Sequence, residues 1–248
     1  MTRALIVIPA RFGSTRLPGK PLLAESGKPL IVHVCEAAGR VPGADVLVAT
    51  DHEGIAEAVR GAGYEAAMTR ADHETGSARV AEAAAGRAAD VVVNLQGDEP
   101  EIDPDAVAGL IAMHRREASA ARPAFVSTLA SPFPDDADPA SPSAVKAVLS
   151  QPNAAGTRDA LYFSRARVPF PRSGDEGPYL HVGLYAFTQG SLAAFARMDP
   201  TPLERAESLE QLRVLERGHR IAVGLVPPAL PGIDTPDDYA AFVRRQGR

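Results

Sequence analysis

An apolar run followed by a basic loop opens the sequence, and this pair constrains the fold more than any other feature. Residues 4–8 are apolar without alternation, which is typical of a strand buried on both faces of a parallel sheet. The loop that follows holds three cations spaced by small residues: Arg11, Gly13, Ser14, Arg16, Gly19 and Lys20. Ligands of open α/β sheets bind beyond the carboxyl ends of the strands, where glycines and cations suit a phosphate. The stretch therefore predicts an anion site.

This loop differs from the two common phosphate-binding loops. Five residues separate Gly13 from Gly19, and Pro21 follows Lys20, so the spacing and the hydroxyl of a P-loop are both missing. No G-x-G-x-x-G follows the strand, which disfavours a nicotinamide enzyme. The alternative, a solvated basic loop, fits poorly with a chain of net charge −5 that still gathers three cations here.

Composition excludes several other classes of protein. The 248 residues are 45% hydrophobic, which suits one large α/β domain or a domain with a sizeable insertion. An acidic balance and 5% aromatic residues argue against nucleic-acid binding. No apolar stretch approaches the length of a membrane span and no leader pattern opens the chain, so we expect neither membrane insertion nor export. The single cysteine, Cys35, excludes a disulfide framework and fits a reducing compartment.

Strands and helices alternate in the first half of the chain, which predicts a parallel sheet with right-handed crossovers. Strands are predicted at 46–50, 65–69 and 90–95, and helices at about 29–38 and 54–62. A polar loop, 70–79, precedes an alanine-rich helix that Ser77 can cap. The same helix start could also receive the polar groups of a nucleotide.

The strand at 90–95 ends in Gln96-Gly97-Asp98-Glu99-Pro100. A carboxylate at the carboxyl end of a central strand is well placed to hold Mg²⁺ against phosphates. On residue types alone, Asp98 fits a turn equally well, because Gly-Asp is also turn chemistry.

A proline-rich segment at 130–143 marks a change in organisation. We predict an inserted β-rich lobe at about 124–187, with the nucleotide-binding core at about 1–123 and 188–248. Candidate strands in the lobe are 144–149, 160–163 and 179–187. Alternation along the last of these places His181 and Tyr185 on one face.

The remaining elements are a helix, a strand and a terminal helix. The helix is predicted at 203–217. Its inward face is formed by three leucines, Leu209, Leu212 and Leu215. Its solvated face carries the polar residues Glu207, Glu210, Gln211 and Arg213. A strand at 221–225 follows. Thr235 is expected to cap the terminal helix, which leaves the preceding Asp234 without a structural explanation.

The whole pattern resembles the sugar nucleotidyltransferases, and among them the cytidylyltransferases that activate 3-deoxy acidic sugars. The resemblance runs in order from Ile8 to Tyr239. It is carried by Ile8-Pro9-Ala10-Arg11, Ser14-Thr15-Arg16-Leu17-Pro18-Gly19-Lys20-Pro21, Gln96-Gly97-Asp98-Glu99-Pro100, Tyr162-Phe163-Ser164-Arg165, Leu209-Glu210-Gln211-Leu212-Arg213 and Asp234-Thr235-Pro236-Asp237. The chain departs from the family at Thr75, Ser77, Ala78 and Ser143.

The resemblance implies a Rossmann-like α/β nucleotidyltransferase fold (similar to glycosyltransferase A), with a mostly parallel sheet and an inserted sugar-binding lobe. It implies that CTP and Kdo (3-deoxy-D-manno-octulosonate) give CMP-Kdo and pyrophosphate for lipopolysaccharide biosynthesis. It further implies Mg²⁺ as cofactor, a homodimer built through the lobe, and a cytoplasmic location.

Site residues are also implied by the resemblance. Arg11, Lys20 and Asp98 would be catalytic, and Asp98 and Asp234 would hold Mg²⁺. The nucleotide would be bound by Ala10, Arg11, Ser14, Arg16, Lys20, His73, Gly76 and Ser77. The sugar would be bound by Gln96, Arg79, Arg165, His181, Tyr185, Glu210 and Gln211, with Arg165 on its carboxylate.

Three alternatives stay open at the level of the sequence. One is the same chemistry on a related acidic sugar, such as 8-amino-Kdo or a nonulosonate. Another is a nucleotidyltransferase with a different base or a sugar phosphate. The last is a non-catalytic nucleotide-binding module, which should lack a metal carboxylate or the lysine, whereas this chain keeps Asp98, Asp234 and Lys20.

Overall fold

The protein is an α/β structure, described here from a computed structural model over residues 3–13, 17–134, 137–173, 177–228 and 232–247. The strands are β1 (Ala4–Ala10), β2 (Ala44–Thr50), β3 (Glu65–Met68), β4 (Val91–Asn94), β5 (Val126–Pro132), β6 (Lys146–Leu149), β7 (Arg158–Ser164), β8 (Tyr179–Phe187) and β9 (Ile221–Leu225). The α-helices are α1 (Leu30–Gly39), α2 (Glu53–Gly61), α3 (Gly76–Ala84), α4 (Pro104–Ala118), α5 (Gln189–Phe195), α6 (Pro202–Glu207), α7 (Leu212–Glu216) and α8 (Pro236–Gln246).

Two compact units divide the chain. Unit 1 comprises Met1–Ala108 and Leu230–Arg248, and unit 2 comprises Gly109–Ala229. The boundaries that the sequence predicted for the inserted lobe stay a prediction.

Unit 1 is a parallel α/β layer. Its strands pair in the order β3-β2-β1-β4, each pair parallel, with helices in the crossovers. The central strand β1 is buried on both faces, since no residue of 4–8 is more than 5% exposed. The prediction that the first strand is buried on both faces is confirmed. An unbroken apolar run suits this position, because neither face of the strand meets solvent.

Unit 2 holds strands that close on themselves. β5 pairs with β8 and β9, β7 pairs with β9 and β6, and β6 pairs with β8. The five strands therefore form a ring, which leaves fewer backbone groups at open edges. The predicted strands of the β-rich lobe are confirmed in β6, β7 and β8.

The single helix predicted at 203–217 is wrong. The segment forms α6 and α7 with a break at Ser208, which has the left-handed φ of 52° that a right-handed helix cannot contain. Gln211 and Arg213 are consequently buried, at 5% and 6% exposed, and do not lie on a solvated face.

Two other local predictions, the cap of α8 and the burial of Cys35, are confirmed. Thr235 Oγ1 accepts a hydrogen bond from Asp238 N at 3.2 Å and caps α8. Cys35 is fully buried on the apolar face of α1, where burial raises the pKa of its thiol to about 12. Among the described residues, no helix combines the length and the apolar character needed to cross a membrane.

Candidate active site

The strand order of unit 1 creates a crevice at the carboxyl end of the sheet. The crossover direction reverses between β1 and β4, and ligands of open α/β sheets bind at such a switch point. Arg11 is exposed directly after β1, and the segment from Gln96 to Asp98 follows β4. A side chain at Gly97 would place its Cβ 2.9 Å from the Pro9 carbonyl oxygen, so the two loops can approach only because this residue is glycine.

Lys20 joins two carboxylates that are far apart in the sequence. Its Nζ donates to Asp98 Oδ2 at 3.0 Å, to the Ile233 carbonyl at 2.8 Å and to Asp234 Oδ1 at 3.4 Å. The lysine side chain is 14% exposed, whereas those of Asp98 and Asp234 are 29% and 44% exposed. The structure therefore brings together three residues that the sequence placed in one site.

An apolar anchor holds Asp234 in this position. Ile233 is 1% exposed and belongs to a core cluster with Leu17, Leu30, Tyr239 and Phe242. The Ile233 amide donates to the Asp98 carbonyl at 2.8 Å. Since Thr235 caps α8 immediately afterwards, Asp234 lies between a buried side chain and a capped helix, and its backbone is fixed on both sides.

The chemistry of this cluster fits a hard divalent cation. The acceptors are all oxygens, and two of them come from carboxylates. The Lys20 ammonium, a cation of the chain itself, lies within hydrogen-bonding distance of all three. Within the described ranges, no group of three or more histidine, cysteine or acidic side chains is arranged to hold a metal. Two carboxylates are nevertheless enough for Mg²⁺, which is usually held by one or two carboxylates plus substrate phosphates.

Side chains after β4 link this loop to the start of α3. Gln96 Nε2 donates to Asn94 Oδ1 at 3.2 Å, and Asn94 Nδ2 donates weakly to Ser77 Oγ at 3.4 Å. Burial, together with the adjacent Asp98 charge, raises the pKa of Glu99 to about 7. Gln96 and Ser77 thus belong to one hydrogen-bonded chain of residues.

Side-chain contacts of Arg79 and His73 help to hold the loop at 70–79. Arg79, 4% exposed, donates to Asp51 Oδ2 at 2.8 Å and also to the Thr69 hydroxyl. His73 Nε2 is hydrogen bonded to Glu82 Oε2. These contacts give Arg79 and His73 a role in shaping the loop, and their predicted contacts with substrate stay a prediction.

The predicted cap of α3 is corrected from Ser77 to Thr75. Thr75 Oγ1 accepts from Ala78 N at 3.2 Å and has the extended backbone of an N-cap, whereas Ser77 already lies inside the helix. Gly76 opens the helix against Pro9, 3.5 Å from the position a Cβ would take. The start of α3 therefore lies beside the end of β1.

Two predicted nucleotide-binding residues, Ser14 and Arg16, lie outside the described residues. Ala10 is buried as the last residue of β1, which leaves its backbone as the group that could meet a ligand.

In unit 2, the rings of His181 and Tyr185 are neighbours on β8, with centroids 5.4 Å apart, in agreement with the prediction that both lie on one face. The β5–β8 register shifts between Thr128 and Leu129, so β8 carries a bulge between the two rings. Burial lowers the pKa of His181 to about 4 and, with the nearby Glu210 charge, raises the pKa of Tyr185. Both side chains are therefore neutral near pH 7.

Thr128 fixes the tautomer of His181. Its hydroxyl lies 2.8 Å from the Leu184 carbonyl and 3.1 Å from His181 Nε2. Since the carbonyl only accepts, the hydroxyl proton goes there, and Nε2–H of the imidazole donates to Thr128. This assignment leaves Nδ1 as the acceptor of the ring, opposite in character to the Tyr185 hydroxyl, which can donate.

Glu210 and Gln211 lie in the turn at 208–211, between α6 and α7. Gln211 is 5% exposed, and its Nε2 has no hydrogen-bond partner in the part of the chain that the structure describes. Buried amides are normally satisfied, so this nitrogen is suited to a ligand oxygen.

Arg165 is engaged by its own chain. Nε donates to the Glu207 carbonyl at 2.6 Å, Nη2 to the Ser208 carbonyl at 3.2 Å and Nη1 to the Pro142 carbonyl at 2.9 Å. The guanidinium thus binds the last carbonyls of α6, and its predicted pairing with a sugar carboxylate stays a prediction.

Sequence reasoning missed three contributors to these sites: Thr128, Glu207 and Ile233. Each acts through a partner more than forty residues away, as in the 213-residue separation of Ile233 from Lys20. Only the sequence position of Ile233, directly before Asp234, offered a signal.

Comparison with known proteins places the chain among the cytidylyltransferases. The sequence profile of the family described as Cytidylyltransferase matches residues 5–221. A 3-deoxy-manno-octulosonate cytidylyltransferase of Mesorhizobium japonicum is 48% identical over 239 residues, which cover 94% of this chain and 95% of the relative. The enzyme of the same name from Escherichia coli is 45% identical, over 95% and 93% of the two chains.

A solved structure agrees with the sequence comparisons. The structure of CMP:2-keto-3-deoxy-manno-octonic acid synthetase complexed with CTP is 42% identical, covers 99% of both chains and has a TM-score of 0.90.

Proposed function

The chain belongs to the 3-deoxy-manno-octulosonate cytidylyltransferase family and joins CTP to Kdo to give CMP-Kdo and pyrophosphate, and we propose how its residues perform this reaction. The observation that carries the proposal is the cluster of Lys20, Asp98 and Asp234 beside the switch point of unit 1. The product would supply lipopolysaccharide biosynthesis.

The cations after β1 would bind the triphosphate. Transfer of a nucleotidyl group needs little covalent chemistry from the protein, so catalysis rests on positioning and on charge. Arg11 and Lys20 would stabilise the negative charge that develops on the α-phosphate and the leaving pyrophosphate. Ala10, Ser14, Arg16, His73, Gly76 and Ser77 would hold the rest of the nucleotide.

Asp98 and Asp234 would hold Mg²⁺ together with triphosphate oxygens. When bound, the metal would supply charge neutralisation and lower the pKa of a contacting hydroxyl. Lys20, which pairs with both carboxylates in the structure, would donate to phosphate oxygens once the nucleotide is bound.

The polar residues of unit 2 would select the sugar. His181 Nδ1 accepts and the Tyr185 hydroxyl donates, so the pair can bind sugar hydroxyls in both hydrogen-bonding senses. Glu210 and Gln211 would bind further hydroxyls, and Arg165 the carboxylate. Gln96 and Arg79 complete the proposed sugar-binding set. The anomeric hydroxyl would then attack the α-phosphorus in line with the departing pyrophosphate.

We also propose a homodimer in the cytoplasm. The support is the resemblance of the 144–165 segment to the family's dimer-forming lobe, together with a composition that contains a single cysteine.

The test is pyrophosphate release with CTP, Kdo and Mg²⁺. Parallel assays replace Kdo with 8-amino-Kdo or N-acetylneuraminate, and CTP with the other nucleoside triphosphates. We expect turnover with CTP and Kdo that disappears with a chelator. Turnover only with a different acidic sugar would overturn the sugar assignment, and chelator-resistant turnover would overturn the metal assignment.

A further inference from the structure

Glu207 is the last residue of α6, and its carboxylate accepts hydrogen bonds from residues at the end of β7. Ser164 Oγ donates to Glu207 Oε1 at 2.7 Å, and Arg165 N donates to Glu207 Oε2 at 2.8 Å. Both donors belong to the end of β7 and lie 42 or 43 residues from Glu207 in sequence. Each carboxylate oxygen is therefore fixed by one donor of that strand end.

The connection is reciprocal. While the carboxylate of Glu207 binds the backbone of Arg165, the guanidinium of Arg165 binds the backbone carbonyls of Glu207 and Ser208. The two residues thus exchange side-chain and main-chain contacts. Hydrogen bonds with one charged partner are about twice as strong as neutral ones, and all four contacts here have one.

This exchange stabilises the unusual backbone of the 208–211 turn. Ser208 has φ 52° and ψ 50° without being glycine, a conformation that is unfavourable for a residue with a Cβ and persists when the surroundings enforce it. Immediately after it come buried Leu209, then Glu210 and Gln211. The direction in which Glu210 and Gln211 leave α6 consequently depends on the contacts that hold Ser208.

A buried lysine also contacts the backbone of Arg165. Lys146 is fully buried at the start of β6, and its Nζ donates to the carbonyls of Arg165 and Ser141. Burial lowers the pKa of Lys146, while the Glu207 charge acts in the opposite direction and favours the ammonium. The neighbouring Val145 carbonyl accepts from His181 N at 2.9 Å, so the same segment also holds the backbone of His181.

We propose that Glu207 is a positioning residue for the sugar substrate. Its carboxylate fixes both the position of Arg165 and the conformation of the 208–211 turn. Glu207 acts through these residues and does not itself contact substrate. This proposal rests on the proposed function, because it assigns Glu210 and Gln211 to the sugar.

The test compares Glu207→Ala and Glu207→Gln in steady-state kinetics with CTP and Kdo. Glu207→Ala removes both acceptors, so we expect the KM for Kdo to rise about tenfold or more, corresponding to about 1.4 kcal/mol or more. The KM for CTP should stay within about twofold, since the nucleotide residues belong to unit 1. In Glu207→Gln the amide oxygen can still accept from Arg165 N, and the amide nitrogen can donate to the Ser164 hydroxyl, so this variant should restore most of the affinity for Kdo.

A matched control is Glu216→Ala. Glu216 is an exposed carboxylate of α7 that accepts from Leu203 N at 3.1 Å, so its loss perturbs the same helix pair without contact to Arg165. Both KM values should stay at the wild-type level. If Glu207→Ala does not fold, Ser164→Ala, which removes one of the two donors, is measured in the same way and should show a smaller rise in the KM for Kdo alone.

Hydrogen exchange of residues 208–211 provides a readout that needs no substrate. We expect faster exchange in Glu207→Ala than in Glu216→Ala, with unit 1 unchanged. An unchanged KM for Kdo, or an equal rise in both KM values, would overturn the role of Glu207 while leaving the proposed function intact. A wild-type protein without turnover on any sugar would instead overturn the proposed function, and the role of Glu207 with it.

Discussion

Lys20 is the residue on which the candidate nucleotide site depends most. Its ammonium contacts Asp98, Asp234 and a backbone carbonyl, so removing it takes away the cation that the two carboxylates share. A divalent ion can fill that place, since Mg²⁺ is well suited to a pair of carboxylates.

For Lys20→Met we therefore expect a gain in stabilisation by Mg²⁺. The melting temperature of the variant should rise more on addition of millimolar Mg²⁺ than that of the wild type, measured without nucleotide. Turnover should fall by about 100-fold or more, the usual cost of removing one charge-stabilising donor. The control is Lys28→Met, which removes a partly exposed lysine paired with Glu36. Equal Mg²⁺ responses in Lys20→Met and wild type would contradict the assignment of the metal site.

His181 makes a second prediction at the residue scale, concerning pH. Its pKa is about 4 in the folded protein and near 6.5 in an unfolded chain. Between these values the unfolded state binds the proton and the folded state does not, so stability is lost as pH falls from about 6.5 towards 4. Tyr185 is a titratable neighbour of this ring, and the Glu210 charge acts on Tyr185.

His181→Gln removes this contribution. Relative to pH 7.5, its free energy of unfolding at pH 5 should fall less than that of the wild type, by about 1–2 kcal/mol after allowing for the partial exposure of the ring. Urea denaturation at both pH values measures the difference. His219→Gln, which alters an exposed histidine stacked on Phe125, should keep the wild-type dependence; a matching change in both variants would rule out His181 as the source.

At the scale of elements, α3 offers a test of which hydroxyl caps it. Thr75→Ala removes the side chain that accepts from Ala78 N and should reduce the free energy of unfolding by about 1 kcal/mol. Ser77→Ala, two residues away and inside the helix, should cost less than about 0.5 kcal/mol. Chemical denaturation of the two variants decides between them. The reverse order of costs would restore the cap predicted from sequence.

Elements governed by local rules could be predicted from the sequence, whereas those governed by distant contacts could not. The apolar run of β1 and the Thr-Pro start of α8 carry their own explanation, and both lie where the sequence placed them. The break between α6 and α7 does not, because the Ser208 carbonyl at the break accepts a hydrogen bond from Arg165, 43 residues away. Leucine spacing continued through this point and therefore predicted one helix.

The candidate site follows the same division. Asp98 and Asp234 could be predicted to meet at one site through family resemblance, and Lys20 does contact both. The engagement of Arg165 with backbone carbonyls was not visible, since carbonyl acceptors leave no trace in residue types. The sequence predicts a solvated face for Glu207 because the donors to its carboxylate, a serine hydroxyl and a backbone amide, lie 43 and 42 residues away.

At the scale of the whole molecule, we expect two chains to associate. The chain mass is 26.0 kDa, so light scattering should give twice this value. Leu161 on β7 is 60% exposed, unusually high for a leucine within a strand, and Leu161→Asp should shift the population towards monomer because a charge there would have to be desolvated on association. Leu203→Asp, at a leucine 38% exposed on α6, is the control. A monomeric wild type would refute the dimer.

The ion pair between Lys20 and Asp234 has a consequence for the timing of synthesis. The two residues are 214 positions apart in the sequence, and ribosomes add about 5–20 residues per second. Asp234 is therefore translated about 10–40 s after Lys20. During that interval a nascent chain can already form β1 to β4, yet it has Asp98 alone beside the lysine. Translation that stops before Asp234 would therefore leave a polypeptide that contains β1 to β4 but only one of the two carboxylates proposed to hold Mg²⁺.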